Sequence, residues 1–146
     1  MRMFSSFAIS ASALTAERLR LDLISSNIAN MNTAGRPDDP ANPPYRRKIP
    51  VFAQVLEMVG DGSAGSRYKG AGVKVVRVME DDNPPRLVYD PAHPQADERG
   101  YVAYPNINMV NEMVNMITAT RSYEANVTAL NAAKDIALKA LEIGRG

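Results

Sequence analysis

Residues 108–144, NMVNEMVNMITATRSYEANVTALNAAKDIALKALEIG, run for 37 positions without a proline and reach glycine only at the end. Met109, Met113, Met116, Thr120, Tyr123, Val127 and Leu130 fall at 4-3-4-3-4-3 spacing within it. That repeat averages 3.5 residues, which keeps one seam turned toward a partner helix and favours left-handed supercoiling. Beyond Leu130 the same steps reach Lys134, Ala137 and Leu141, a weaker seam that packs more closely through alanine. At ~1.5 Å per residue the helix is roughly 55 Å long, more than a small globular domain needs. Asn108 suits the N-cap, Glu112 sits in the first turn where the helix dipole favours an acid, and Gly144 marks the stop.

The first thirty residues repeat the theme. Phe7, Leu14, Leu21 and Ile28 are spaced by sevens, with Ala11 and Ile24 beside the row and Arg18, Arg20 and Asp22 free to face water. This helix is expected to end near Asn30 to Asn32, where the chain turns to Thr33-Ala34-Gly35 and then to prolines. Met1-Arg2 followed by Phe4 to Ala16 superficially resembles a secretory leader. Ser5, Ser6, Ser10 and Ser12 interrupt its apolar region, however, and its periodicity continues into Leu21 and Ile28, so a retained helix is the better reading.

Composition narrows the function. One domain's worth of chain, 146 residues, carries 17 basic and 16 acidic side chains for a formal charge of +1. That balance gives no electrostatic footprint for nucleic acid, and Arg46-Arg47-Lys48 reads as a solvated loop edge. Zero cysteines removes disulfides and thiolate chemistry. No run reaches the ~18 apolar residues of a membrane span.

Residues 34–105 hold the prolines and differ from both ends. Arg36 to Pro50 cannot be helical and is expected to run extended over a surface. Short strands are expected at Val51 to Leu56, Val73 to Met79, Arg86 to Tyr89 and Tyr101 to Tyr104, separated by glycine, proline and aspartate turns. A β-rich unit of this size is only marginally self-supporting and is expected to lean on a helix or on neighbouring subunits. The fold class is therefore α+β: long N- and C-terminal helices (1–33 and 106–146) pair as a coiled coil in one helical layer around a small β-rich middle segment (34–105).

Chemistry is hard to find. His93 is the single histidine, in a proline-broken loop with Asp90, Asp97 and Glu98, and no nucleophile stands on a recognisable strand-to-helix elbow. Asp81-Asp82-Asn83 lacks the alternating ligands of a calcium loop, and the glycines between Gly60 and Gly72 lack the lysine and hydroxyl of a phosphate cradle. The methionine stripe packs a helix pair or offers an adaptable binding surface. Two helices of this length expose more apolar seam than the small middle covers, so part of it is expected to meet another copy or another protein. A small enzyme or metal protein built on His93, and a free-standing coiled-coil adaptor or chaperone-like oligomer, are the rival readings.

Ser25-Ser26-Asn27-Ile28-Ala29-Asn30-Met31-Asn32-Thr33 resembles the N-terminal signature of flagellar rod and hook proteins. Pro44-Tyr45-Arg46-Arg47-Lys48, Tyr89-Asp90-Pro91-Ala92-His93-Pro94, Gly100-Tyr101-Val102, Pro105-Asn106-Ile107-Asn108-Met109-Val110, Arg121-Ser122-Tyr123-Glu124-Ala125-Asn126 and Leu141-Glu142-Ile143-Gly144-Arg145 extend the likeness to flagellar basal-body rod proteins of the proximal rod. The insert from Arg36 to Asn42 is more elaborate than the short turn usual there. The resemblance implies a non-enzymatic structural subunit without cofactor, metal, small-molecule substrate or nucleic acid. It further implies export by the flagellar type III apparatus without a cleaved signal peptide, and a place in the rod that crosses the periplasm and carries motor torque to the hook. Implied partners are copies of the chain, other proximal and distal rod proteins, and the adaptor linking rod to membrane ring. The helix-to-helix assembly interface is expected to use Phe7, Leu14, Leu21, Ile28, Met109, Met113, Met116, Thr120, Tyr123, Val127 and Leu130. Asn27, Asn30 and Thr33 are the family motif expected to cap the first helix and fix its exit.

Overall fold

The computed structural model describes residues 2–39, 41–59 and 67–144. Helix α1 spans Arg2–Ala29, followed by β1 (Lys48–Val59), β2 (Arg67–Glu80), β3 (Arg86–Tyr89), β4 (Tyr101–Tyr104) and helix α2 (Met109–Ile143). The α+β architecture is the one the sequence implies, with long terminal helices around two small antiparallel sheets, β1–β2 and β3–β4.

Helix α1 contains neither glycine nor proline. Its last carbonyls are closed by Asn30, whose backbone N–H and side-chain Nδ2 both donate to the Ser26 carbonyl, at 3.1 and 2.8 Å. The helix ends at Ala29 and turns through residues 30–32, as the asparagines suggest. Asn108 caps α2 by accepting the Asn111 N–H on Oδ1 at 3.1 Å, satisfying one of the donors that every helix start leaves free.

The two helices pack against each other, and α1 also packs on β2 and β1. Asn27, near the end of α1, meets Glu112, near the start of α2, so the pair is antiparallel. The row that α2 buries or half-buries is Glu112, Met116, Ala119, Tyr123, Asn126, Leu130, Ala133 and Ala137, at 4-3-4-3-4-3-4 spacing. Since α1 is the element α2 packs on, this is the seam of the pair. Among the described residues, Ala16 and Ile24 are the buried apolar side chains of α1 and Ala119 that of α2. Burying one isoleucine of this kind contributes about 1.5–3 kcal/mol.

All four expected strands are present, and the first two are longer than expected. Strand β1 starts at Lys48 and includes Pro50, which pairs with Val78. A proline fits there because a two-stranded ribbon has free edges, where a missing N–H costs no ladder bond. Two irregularities punctuate the ribbon: Val51 pairs with Arg77 and Phe52 with Val75, then Val55 pairs with Gly72 and Leu56 with Gly70. The second coincides with Gly72, at φ 134°, where an added Cβ would collide with Ser12 of α1. Ser12 Oγ donates to the Ile9 carbonyl and accepts the Val73 N–H at 3.1 Å, pinning the ribbon to α1. Such an anchor matters because isolated hairpins are marginal in water.

The smaller sheet is extended by Gly35, whose N–H and C=O both pair with Ala103 of β4, at 2.9 and 3.0 Å. Val102 and Ala103 are fully buried. The proline-rich insert closes on itself through Arg36 N–H to the Asn42 carbonyl at 3.2 Å, and Asn42 Nδ2 donates to Gln95 Oε1 at 2.8 Å. The expected glycine turn from Gly60 to Gly65 lies outside the described residues.

Candidate functional site: a buried polar clamp and the outer helix faces

The strongest polar cluster joins α1, α2 and the base of the β1–β2 ribbon. Asn27 and Glu112 are each 1% exposed. The Asn27 amide uses its full capacity: Nδ2 donates to the Lys48 carbonyl at 2.9 Å and to Glu112 Oε2 at 3.1 Å, while Oδ1 accepts the Lys48 N–H at 2.9 Å and the Tyr45 hydroxyl at 3.1 Å. Lys48 thus presents both backbone groups to one side chain, as a neighbouring strand would. Tyr45 spends its proton on Asn27, so Ser26 Oγ donates to the Tyr45 oxygen across 3.2 Å.

Glu112 is held from the other side. Arg47 Nε and Nη2 both reach Glu112 Oε1, at 2.8 and 2.7 Å. Arg47 Nη1 also lies 3.7 Å from Asp81 Oδ2, and the Arg47 carbonyl accepts the Asp81 N–H at 2.8 Å. Arg47 therefore ties the two ends of the ribbon to α2. The Arg46-Arg47-Lys48 triplet is thus not simply a solvated edge: Arg46 is exposed, while Arg47 and Lys48 are drawn into the clamp. Burying a carboxylate is costly, and the paired guanidinium and amide donors offset that cost through charge-assisted bonds.

The residues expected to form the assembly interface divide by exposure. Phe7, Leu14, Leu21 and Ile28 on α1 and Met116, Tyr123, Val127 and Leu130 on α2 are half-buried, whereas Met109, Met113 and Thr120 are exposed. Val110, Val114 and Ile117 extend the exposed apolar surface of α2 around Met113. Of the motif residues, Asn27 is the clamp's hub, Asn30 closes α1, and the Thr33 hydroxyl donates to Asn30 Oδ1 at 3.3 Å.

In the sequence Glu112 reads only as a first-turn acid favoured by the helix dipole and Arg47 only as part of a loop edge, with no sign that they pair. A signal existed for the first, since Glu112 is the single acid on the row running from 112 to 137 in heptad steps. His93 orders its own turn: Nδ1 accepts the Gln95 N–H at 3.1 Å, and Asp90 Oδ1 accepts the Ala92 N–H at 3.2 Å. Among the described residues no three acids or histidines converge to hold a metal ion, and no helix is long and apolar enough to cross a membrane.

Helices that close on each other through a buried polar clamp, with apolar faces still open, describe a subunit built for assembly. The family model "Flagella basal body rod protein" matches residues 7–35, and "Flagellar basal body rod FlgEFG protein C-terminal" matches residues 98–143. The chain belongs to the flagellar basal-body rod protein family. Within it, the chain is similar along its whole length to proteins named "Flagellar basal-body rod protein FlgC". It is 47% identical to that of Bacillus subtilis (99% of this chain, 100% of the relative) and 44% identical to that of Borreliella burgdorferi (100% of both). It is 43% identical to that of Escherichia coli O6:H1 (99% of this chain, 100% of the relative).

Proposed function

We propose that this structural rod subunit belongs to the proximal rod and polymerises through α1 and α2, so that interlocked helices carry motor torque to the hook. The observation that carries the reading is the full-length likeness to FlgC proteins, joined to a helix pair that leaves large apolar side chains exposed on α2. Many parallel knob-into-hole contacts resist shear, as a drive shaft requires. Half-buried Phe7, Leu14, Leu21, Ile28, Met116, Tyr123, Val127 and Leu130 would consolidate the helical layer, and exposed Met109, Met113 and Thr120 would meet neighbouring subunits. The partners proposed are copies of the chain, other proximal and distal rod proteins, the adaptor to the membrane ring and the type III export apparatus. The place proposed is the rod where it crosses the periplasm, reached without a cleaved signal peptide. The role proposed is mechanical and not enzymatic. A free-standing adaptor or chaperone is not favoured, because the likeness to rod proteins covers nearly every residue.

Deleting the gene in its own bacterium and imaging isolated basal bodies tests this. Loss of rod and hook with the membrane ring retained, restored by the full-length gene, is the expected result. Intact flagella after deletion would overturn it.

A further inference from the structure

Strand β3 lies at the edge of the smaller sheet, and the hydrogen bonds of β4 fix which of its backbone groups point outward. Opposite residues of an antiparallel pair alternate between those that exchange backbone hydrogen bonds and those that do not. Leu87 faces Ala103, and Tyr89 faces Tyr101. Ala103 donates to the Gly35 carbonyl at 3.0 Å and accepts the Gly35 N–H at 2.9 Å. Tyr101 donates to Asp97 Oδ1 at 2.7 Å and accepts the Asp97 N–H at 2.8 Å. Asp90, next after Tyr89, instead donates inward to the Gly100 carbonyl at 2.9 Å. Leu87 and Tyr89 therefore turn their N–H and C=O groups away from β4, along an edge where Leu87, Val88 and Tyr89 are all exposed. An open strand edge is a template for another strand.

We infer that β3 of one copy pairs antiparallel with β3 of a second copy, in register about Val88. Leu87 of each copy then faces Tyr89 of the other, so the outward backbone groups bond to one another. Aliphatic residues opposite aromatic ones, and a β-branched residue opposite its like, are favourable cross-strand pairs. Arg86 of each copy faces Asp90 of the other. Neither has an ion-pair partner in its own chain among the described residues. Arg86 lies 5.9 Å from the centre of the Tyr104 ring, and Asp90 commits Oδ1 to the Ala92 N–H, which leaves Oδ2 for the guanidinium. Pro85 faces Pro91 in this register, so pairing stops where neither residue has an N–H to offer. The next register in one direction sets Tyr89 against Pro85, and in the other Leu87 against Pro91, and both separate the charges.

The contact uses the same surface on both copies, so it closes as a two-fold dimer and does not grow. It is separate from the polymerisation proposed for the helices. Strand pairing from Arg86 to Asp90 buries little area, so the dimer is weak and forms as the free subunit is concentrated.

The chain has no cysteine, so Val88→Cys supplies the single thiol of the full-length protein. Residues opposite each other in a non-hydrogen-bonded pair lie about 4.5 Å apart at Cα, within disulfide reach. Oxidation of the concentrated protein is expected to give a covalent dimer. Adding Arg86→Glu or Asp90→Lys sets like charges opposite each other and is expected to cut the yield at least tenfold. Mixing those two variants is expected to restore it as a heterodimer, because every charge then faces its opposite. No dimer from Val88→Cys, no recovery in the mixture, or full yield from either charge variant alone would overturn the contact. In the unsubstituted chain, amide exchange at Leu87 and Tyr89 is expected to slow at least fivefold on concentration, while Val88, whose amide faces β4, changes little. Leu87 and Tyr89 amides that exchange equally fast at every concentration would overturn the β3 pairing and leave helix-mediated polymerisation standing.

Discussion

Asn27 Nδ2 and Glu112 Oε2 are 3.1 Å apart and separated by 85 residues of sequence, and both side chains are 1% exposed. One buried hydrogen bond thus sets the register of α1 against α2. The neighbouring Lys48 groups on the same amide set the ribbon against both helices. Three elements that share little apolar core are aligned by polar contacts that tolerate only one geometry.

Asn27→Ala is expected to destabilise the monomer by about 2–4 kcal/mol, because it strands a buried carboxylate oxygen and both backbone groups of Lys48. Asn27→Asp is expected to cost more, since it loses both donors and sets a second carboxylate against Glu112. Urea denaturation followed by circular dichroism measures both. Equal losses for the two variants would show that Glu112 is not felt at position 27.

Arg47→Met leaves Glu112 with a single side-chain donor in a buried site. Breaking a buried pair from one side costs about 3–5 kcal/mol. The Arg47 side chain is 26% exposed, so the lower end of that range is expected here. Arg47→Met combined with Glu112→Gln is expected to be more stable than Arg47→Met alone, because the unpaired charge has gone. A double variant no better than the sum of its parts would place the two residues out of contact.

Gly72→Ala places a side chain at φ 134° and against Ser12. Backbone strain of this kind costs on the order of 1–3 kcal/mol, and the ribbon should lift from α1. Hydrogen exchange at the Val73 amide, which Ser12 Oγ accepts at 3.1 Å, is expected to accelerate. Adding Ser12→Gly is expected to relieve the collision without restoring protection at Val73, since the acceptor is removed with the obstacle. Protection of Val73 unchanged in Gly72→Ala would mean the ribbon is held by other contacts.

The helices and strands are legible in the sequence because each follows from local rules. A long stretch free of proline with heptad spacing makes α2, and Val73, Val75 and Tyr101 to Tyr104 between turn residues make strands. The clamp is not legible in the same way. Asn27 reads as a helix-end asparagine and Arg47 as part of a basic loop, and only a chain already folded brings Glu112 within 2.8 Å of one and 3.1 Å of the other. The helix seam illustrates how close two periodic rows can run. The row through Met109 and Met113 and the row through Glu112 and Ala119 share Met116, Tyr123 and Leu130, and differ by a small rotation of the helix. A 3.5-residue repeat fixes the existence of a seam but not which of two overlapping rows faces inward when both contain methionine, threonine or alanine.

Within one chain, α2 packs on α1 alone among the described elements, while α1 also packs on β1 and β2. Helix α1 covers one face of α2, while Val110, Val114, Ile117 and the α2 tip face water. Isolated helices owe most of their stability to packing, so protection should follow the buried seam. In dilute monomer, amides of residues 5–11 at the start of α1 and of the α2 tip beyond Ala137 are expected to exchange readily, whereas those around Ile24, Glu112 and Ala119 are protected by the clamp and the core beside it. On assembly, protection should rise at least tenfold at the tip and along α1. Strong protection of residues 5–11 already present in dilute monomer would mean that the contacts within one chain suffice to hold them, and that assembly adds contacts without adding order.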